Sequence, residues 1–269
     1  TFDKFTEQFG SMFKTGVASD FSNKERIVGL LRYESTRTLP GEATSLTAYT
    51  ERMHPDQTEI YYVLGANREV ADHSPNLEYF RSREIEVLFF TDPVDVFTVP
   101  HLGEFGGHSF VSVEKAEIKV PDLSTEDKKL SNSSRENLLK ELRLLLTGKV
   151  QDVRVSRRLV DSVATLVAGD AGLDAQTERV LRMIDRDYVS GSRILEINAS
   201  HDLVVSLARV LEKRDMDRFK KIGMQIFEGT LLLDGNLDAP ADFVQRMTDF
   251  MVEATRKDVL ITGKDTSDE

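Results

Sequence analysis

The sequence predicts a mixed α/β chain (α+β class) built from two units. Residues 60–65, Ile-Tyr-Tyr-Val-Leu-Gly, and residues 86–90, Glu-Val-Leu-Phe-Phe, are short apolar runs with a helical stretch between them. Two apolar strands joined by a helical crossover form a parallel pair covered on both faces. The segment 121–134, PDLSTEDKKLSNSS, is polar and aperiodic and reads as a linker. The chain then ends on two strongly periodic helices, which makes the second unit partly helical.

Residues 1–56 read as three short helices. The first carries Phe2, Phe5, Phe9, Met12 and Phe13 at helical spacing and is expected to end at Gly16. The second spans about 23–33, with Ile27, Leu30 and Leu31 on one face. The third starts at the capping pair Thr44-Ser45 and includes Leu46, Tyr49 and Met53. Residues 57–122 read as a small α/β layer. Its crossover helix, within 67–83, is opened by Ser74-Pro75, where a proline at the first helical position loses no bond. A third strand is expected at 109–113, after the turn at Gly106-Gly107.

The linker is placed at 123–134, and the second unit at 135–256. Leu138, Leu139, Leu142, Leu145 and Leu146 make a helical face. Residues 150–155 and 163–167 read as antiparallel strands about a turn at 159–162. A helix over 171–187 follows, then a strand at 194–198. Ser200 is expected to cap a helix bearing Leu203, Val204, Leu207, Val210 and Leu211. Phe219, Ile222, Ile226, Phe227, Thr230 and Leu233 line the next helix. After a turn at 237–240, Phe243, Val244, Met247, Phe250, Met251 and Ala254 line the last. The short loop makes these two antiparallel neighbours. Their broad stripes either pack on their own sheet or pair with a second copy. Residues 257–269 read as a flexible polar tail.

Length and composition bound the function. A chain of 269 residues suggests two domains, and 40% apolar with 30% charged residues fits a folded soluble protein. The net charge of −11 argues against nucleic acid as a partner, because binding phosphates needs clustered Lys and Arg. The absence of cysteine excludes disulfides, thiolate metal sites and thiol nucleophiles. No apolar run is long enough to span a membrane, and the first residues do not form a signal peptide, so a cytoplasmic location is expected. With no starting Met and a start inside a helical pattern, the chain reads as a piece of a longer one.

Ligands of α/β layers sit at the carboxyl ends of the strands. Here those ends offer Gly65-Ala66-Asn67-Arg68 and Thr91-Asp92-Pro93-Val94-Asp95, neither of them a phosphate cradle. Asp92 either contributes to a cation site with Asp95 or caps a helix beginning at Pro93. The five histidines, His54, His73, His101, His108 and His201, show no ligand spacing, and no G-x-S-x-G elbow is present. Arg154, Arg157, Arg158, Arg179 and Arg182 read as solvated partners of an acidic surface. An enzyme acting on a phosphorylated ligand near Asn67, Arg68, Asp92 and Asp95 is one alternative; a passive dimerisation scaffold is another.

Several segments, in order, resemble the ninety-kilodalton heat-shock chaperone family, and most closely its bacterial, high-temperature protein G type. They are FSNKERIVGLLRY (21–33), SLTAYTERM (45–53), IYYVLGANREVADHSPNLEYFRSREIEVLFFTDPVD (60–95), EFGG (104–107), ILEINASHD (194–202) and FEGTLLLDGNLDAP (227–240). The resemblance covers the chain from about Phe2 to Ala254. It implies the later part of the family's middle domain, with a three-layer αβα subdomain, followed by the carboxyl-terminal dimerisation domain. The final helical pair would then form a four-helix bundle with a second copy.

The resemblance implies that the ATP and Mg of the full-length protein bind before residue 1, leaving this chain without catalytic, cofactor or metal residues. It implies two partners, a second copy of the chain and unfolded or partly folded client proteins. Client contacts would be Phe97, after the Asp-rich turn, and Leu173, Thr177, Val180, Leu181 and Ile184 on the helix that follows the Gly169-Asp170 loop. Dimer contacts would be Phe219, Ile222, Ile226, Phe227, Phe243, Met247, Phe250 and Met251. Two departures stand out. Pro100 is expected to shorten the helix bearing Phe97, and Asp174 and Glu178 make the second client helix more polar. The ending TGKDTSDE also lacks the Glu-Glu-Val-Asp docking tail of cytosolic eukaryotic members.

Overall fold

The computed structural model describes the backbone of residues 2–115, 129–169, 172–185 and 193–262, and the side chains of those between 8 and 256. Helix α1 (Phe2–Ser19) runs past Gly16, which was expected to end it. That glycine instead lets α2 (Lys24–Leu30) approach, since a Cβ there would lie 3.3 Å from Ile27 Cδ1. The stretch expected to continue as helix to 33 turns into strand β1 (Arg32–Ser35), followed by β2 (Thr44–Ser45) and α3 (Leu46–Glu51). Non-local partners override helix propensity here. β1 pairs antiparallel with β4 (Leu88–Phe90), and Tyr33 stacks on Phe90 with ring centroids 4.1 Å apart. Buried Glu86 holds the corner together. It accepts from Ser35 Oγ at 2.6 Å and from Arg52 at 2.8 Å. Ser45 caps α3 as expected, accepting from the Ala48 amide at 3.0 Å.

Strand β3 (Glu59–Leu64) lies parallel to β4, as the apolar runs imply, with Tyr62 opposite Leu88. The crossover is broken into α4 (Arg68–Asp72), a 3₁₀ turn at Pro75–Leu77 and α5 (Glu78–Ser82). Ser74 caps the 3₁₀ turn through the Asn76 amide, as expected, and Asn67 caps α4. After β4 come α6 (Asp95–Leu102), β5 (Glu104–Phe105) and β6 (His108–Ser112). The sheet order is β2-β1-β4-β3-β6-β5, so the segment read as purely helical supplies two of its strands. Ile60, Tyr62, Leu64, Leu88 and Phe90 face α1, α2 and α6, and Val63 and Phe89 face Leu77 and Phe80. Each large side chain so buried contributes about 1.5–3 kcal/mol, enough to hold a sheet of such short strands.

The first half of the expected linker, 123–128, lies outside the described residues; its last residues, 132–134, instead open α7 (Asn132–Leu145), which Ser131 caps. The second sheet contains β7 (Asp152–Val155), β8 (Ala164–Ala168) and β9 (Arg193–Ile197) in the order β7-β9-β8. β7 and β8 are therefore not a hairpin. β9 inserts between them, parallel to β7 and antiparallel to β8. Its residues are all buried, so the central position suits it. Helix α8 (Ala175–Ile184) is shorter than the expected 171–187. His201 rather than Ser200 caps α9 (Asp202–Glu212), its Nδ1 accepting from the Leu203 amide. The last pair are α10 (Met216–Leu233) and α11 (Pro240–Thr262), and α11 continues into the stretch read as a tail. Leu138, Leu142, Leu195, Leu207, Phe219 and Phe227 form the core between these helices and the sheet.

Candidate client surface and dimer face

Phe97 sits on the first turn of α6. Asp95 and Asp92 organise the entry to this helix. The Asp95 carboxylate accepts from the Asp92 amide at 3.0 Å, and Asp92 Oδ1 accepts from the Val94 amide at 3.1 Å. Asp92 thus holds the turn ahead of the helix rather than capping it, since the helix begins at Asp95, not at Pro93, with Val94 at its N-cap and no side-chain cap bond. Lys14 of α1 lies 2.8 Å from Asp95, which is fully buried. Burial raises the Asp95 carboxyl to about 6, against the opposing charge of Lys14. Burial also pulls Asp92 upward, but hydrogen bonds from Ser11 and the Val94 amide, with the Lys14 charge, outweigh it and leave its pKa lowered. The helix is 8 residues long, runs two residues past Pro100 to Leu102 and ends at Gly103, at φ +68°. Phe97 is left 51% exposed on a frame whose other side, Val96 and Thr98, is buried.

The crevice residues weighed for an enzyme all have structural partners. Asn67 Oδ1 accepts from the Val70 amide at 2.9 Å. Arg68 pairs with Glu34, donates to Thr38 O at 2.6 Å and stacks 5.1 Å from the Phe89 ring. Asp92 and Asp95 are engaged as described. No group of His, Asp and Glu suited to a metal ion occurs among the described residues.

Helix α8 packs on β3 and α6, and this divides its expected client face. Val180 packs inward against the core beneath the first sheet. Thr177 and Leu181 are half-buried, whereas Leu173 and Ile184 are exposed. Met183, 69% exposed beside Ile184, joins the outward patch; its place in the apolar series 180, 181, 184 was the available signal. Glu178, read as making the helix more polar, is buried.

The dimer residues also divide. Phe219, Ile226 and Phe227 are buried against α7, α9 and the sheet, so α10 spends most of its stripe inside the chain. Gly223 marks the closest approach, since a Cβ there would lie 2.7 Å from Leu145 Cδ2. Phe243 and Phe250 of α11 are half-buried, and Met247, Met251, Val244 and Val252 are exposed. Arg246 pairs with Glu228, and Arg218 with Glu253 at 2.9 Å, which ties the two helices together. Beside them opens an apolar groove of about 430 Å³, lined by Leu203, Ile222, Ile226, Leu233 and Phe250.

Of the five arginines read as solvated, Arg157 is exposed and Arg182 pairs with exposed Asp238 at 3.4 Å, as expected, but Arg158 is not solvated. Arg158 is 2% exposed and donates to Glu196 Oε2 at 3.1 Å, and Arg154 pairs with the same carboxylate at 2.7 Å. The group of buried Glu114 and Arg193 with half-buried Asp174 and Asp234 also left no pattern in the sequence. Arg193 lies 2.9 Å from Asp234 and 3.4 Å from Glu114. Burial raises Glu114 to about 8 and Asp234 to about 6, against the pull of Arg193.

Comparison with known proteins gives a family match along the chain. The family model described as Hsp90 protein matches residues 1–268. The chain is 40% identical to the chaperone protein HtpG of Chlorobium luteolum over 259 residues, which cover 94% of this chain and 41% of that protein. It is 40% identical to HtpG of Chlorobaculum tepidum, over 95% of this chain and 41% of that one. HtpG of Coxiella burnetii is 36% identical over 93% of this chain and 40% of its own length. The chain thus spans about two fifths of the length of these curated relatives. By this match along almost its whole length, the chain belongs to the Hsp90 family.

Proposed function

We propose that this chain is the self-associating and client-holding part of a molecular chaperone, and that it performs no chemistry of its own. ATP and Mg would act elsewhere in the full-length protein. The observation that carries this reading is the exposed apolar strip of α11 (Val244, Met247, Met251 and Val252), continuous with the groove beside Phe250. A long amphipathic helix that leaves such a strip in water has a surface to bury. A second copy is the economical occupant. Two-fold pairing of α10 and α11 with the same helices of another chain closes both strips at once into a four-helix bundle.

Client contact would fall to Phe97 on α6, to Met183 and Ile184 on α8, and to Leu173 just before α8, apolar side chains held outward. Such patches bind weakly and with little sequence preference, and pairing two chains raises their effective concentration. The test is sedimentation with a client assay. Met247→Asp with Met251→Asp should yield monomers, because like charges would face each other across the joint. A tight dimer in that variant would refute the interface. Met183→Ser with Ile184→Ser should weaken suppression of a model client's aggregation at unchanged circular dichroism. Full suppression would remove α8 from the reading.

A further inference from the structure

The helix that carries Phe97 is weak on its own terms. α6 has 8 residues, no side-chain cap at Val94, and Pro100 in its interior, where an amide donor is missing. A helix this short does not hold itself in water and takes its place from what it packs against. Its first turn is held from outside, by α1, which packs along it. Lys14 Nζ reaches both oxygens of Asp95, at 2.8 and 2.9 Å, and lies 3.7 Å from Asp92. One turn back on the same face of α1, Ser11 Oγ donates to Asp92 Oδ2. Thr98 Oγ1 donates both to Lys14 O, at 3.2 Å, and to Val94 O, at 3.0 Å. The Val94 carbonyl also accepts from the Phe97 amide at 3.0 Å. A continuous run of contacts thus leads from Lys14 through the 92–95 turn to the backbone of Phe97.

Lys14 bridges two carboxylates that would otherwise repel each other across one turn. It is 8% exposed and lies 4.8 Å from the Tyr33 ring, beside an Asp95 that is fully buried. In so dry a place water does not replace the ammonium at low cost. Phe13 and Val17 of α1 pack into the core by themselves, so α1 stays docked when Lys14 is changed. From these contacts we propose that Lys14, assisted by Ser11, is a positioning residue for client contact, through which α1 fixes the direction in which α6 presents Phe97. The proposal rests on the reading that Phe97 touches clients. Loss of Lys14 leaves Asp92 and Asp95 facing each other without their shared cation. The turn then opens, the first turn of α6 frays, and Phe97 samples more directions. A contact that was set ready must instead be ordered at each binding event, which weakens binding.

The chain has no tryptophan, so Phe97→Trp places a single emitter at the patch. Its anisotropy decay reads the local freedom of the side chain. In the Phe97→Trp chain, Lys14→Met should enlarge the fast component of the decay. Ser11→Ala, which loses one exposed hydrogen bond, should do so to a smaller extent. Suppression of a model client's aggregation, measured with Phe97 in place, gives the second readout. Phe97→Ala and Lys14→Met should each raise the concentration for half suppression about fivefold, the scale of one side chain at an interface. The two together should cost no more than either alone, because Lys14 acts through Phe97. Val153→Ala, a cavity in the core of the second sheet, is the control. It should lower the melting temperature and leave the decay unchanged. An unchanged decay in Lys14→Met would overturn the proposal, as would an equal change in Val153→Ala or additive losses in the double variant. Should Lys14→Met not fold, Ser11→Ala decides, and an unchanged decay there overturns it. If Phe97→Ala keeps full suppression, the client reading of Phe97 fails and this role of Lys14 with it. If Phe97→Ala weakens suppression and Lys14→Met does not, only the positioning fails.

Discussion

Helices α10 and α11 are consecutive, antiparallel and similarly patterned, yet the structure treats them differently. α10 lies among α7, α9 and β8, and turns Phe219, Ile226 and Phe227 into their shared core. α11 comes last and has α10 as its main neighbour. It rests Phe243 and Phe250 there and leaves Val244, Met247, Met251 and Val252 in water. A periodic stripe reports that a helix has one face to bury and does not report what covers that face. The neighbours decide it here, since α7, α9 and the sheet cover α10, whereas α11 has mainly α10 to lie on.

The sharpest way to break this comparison is to truncate one residue on each helix. Phe227→Ala removes a large side chain from the centre of a closed core and should lower unfolding stability by about 3–5 kcal/mol, read from the urea midpoint. Met251→Ser should shift the monomer by no more than about 0.5 kcal/mol and act only on association. Equal losses in dilute monomer would mean that α11 contributes to the fold as much as α10 does.

A smaller effect concerns the carboxyl end of α10, where Asp234 meets Arg193 and, through it, Glu114. Burial raises Glu114 from its ordinary value to about 8, so the folded chain holds a proton that the unfolded chain has released. The stability this contributes is fully present below the unfolded pKa, near 4.5, and is lost as pH rises through about 8. Melting temperature should fall across that window, and Glu114→Gln should flatten the fall. An unchanged slope in the variant would assign the pH dependence to other groups. The smallest effect is expected between the helices themselves. Arg218 and Glu253 are both close to half-exposed, so Arg218→Ala should cost at most about 1 kcal/mol, and less at high salt. A larger cost in a double-mutant cycle would show α11 held to α10 more firmly than its exposure suggests.

The sequence made the parallel pair β3–β4 legible, because two runs of apolar residues around a crossover have few other solutions. It also showed the caps at Ser45 and Ser74, since a hydroxyl three or two residues ahead of an amide is a local event. Local pattern reads β1 as helix because its pairing with β4 lies more than fifty residues away. The wrong hairpin of β7 and β8 has the same cause, as the strand that separates them comes later in the chain. Of the candidate surfaces, Phe97 was named only through the family resemblance, and the structure leaves it exposed. The division of α8 into inward Val180 and outward Ile184 was not legible, because a helical face can be shared between a core and solvent. Arg158 left no signal, since a single charged residue in a polar loop looks the same whether it is solvated or clamped.

By itself the sequence determined which stretches must bury a face, where proline and glycine interrupt them, the absence of thiol chemistry and the family to which the order of motifs points. These follow from local periodicity, backbone restriction and composition. Only the tertiary structure decided which face meets which. It placed β9 between β7 and β8, closed α10 and left α11 open, and set Arg158 against the Val113 carbonyl and Arg193 beside Glu114. Those choices depend on strand order, register and the distance between residues far apart in the chain, and no local pattern carries that information.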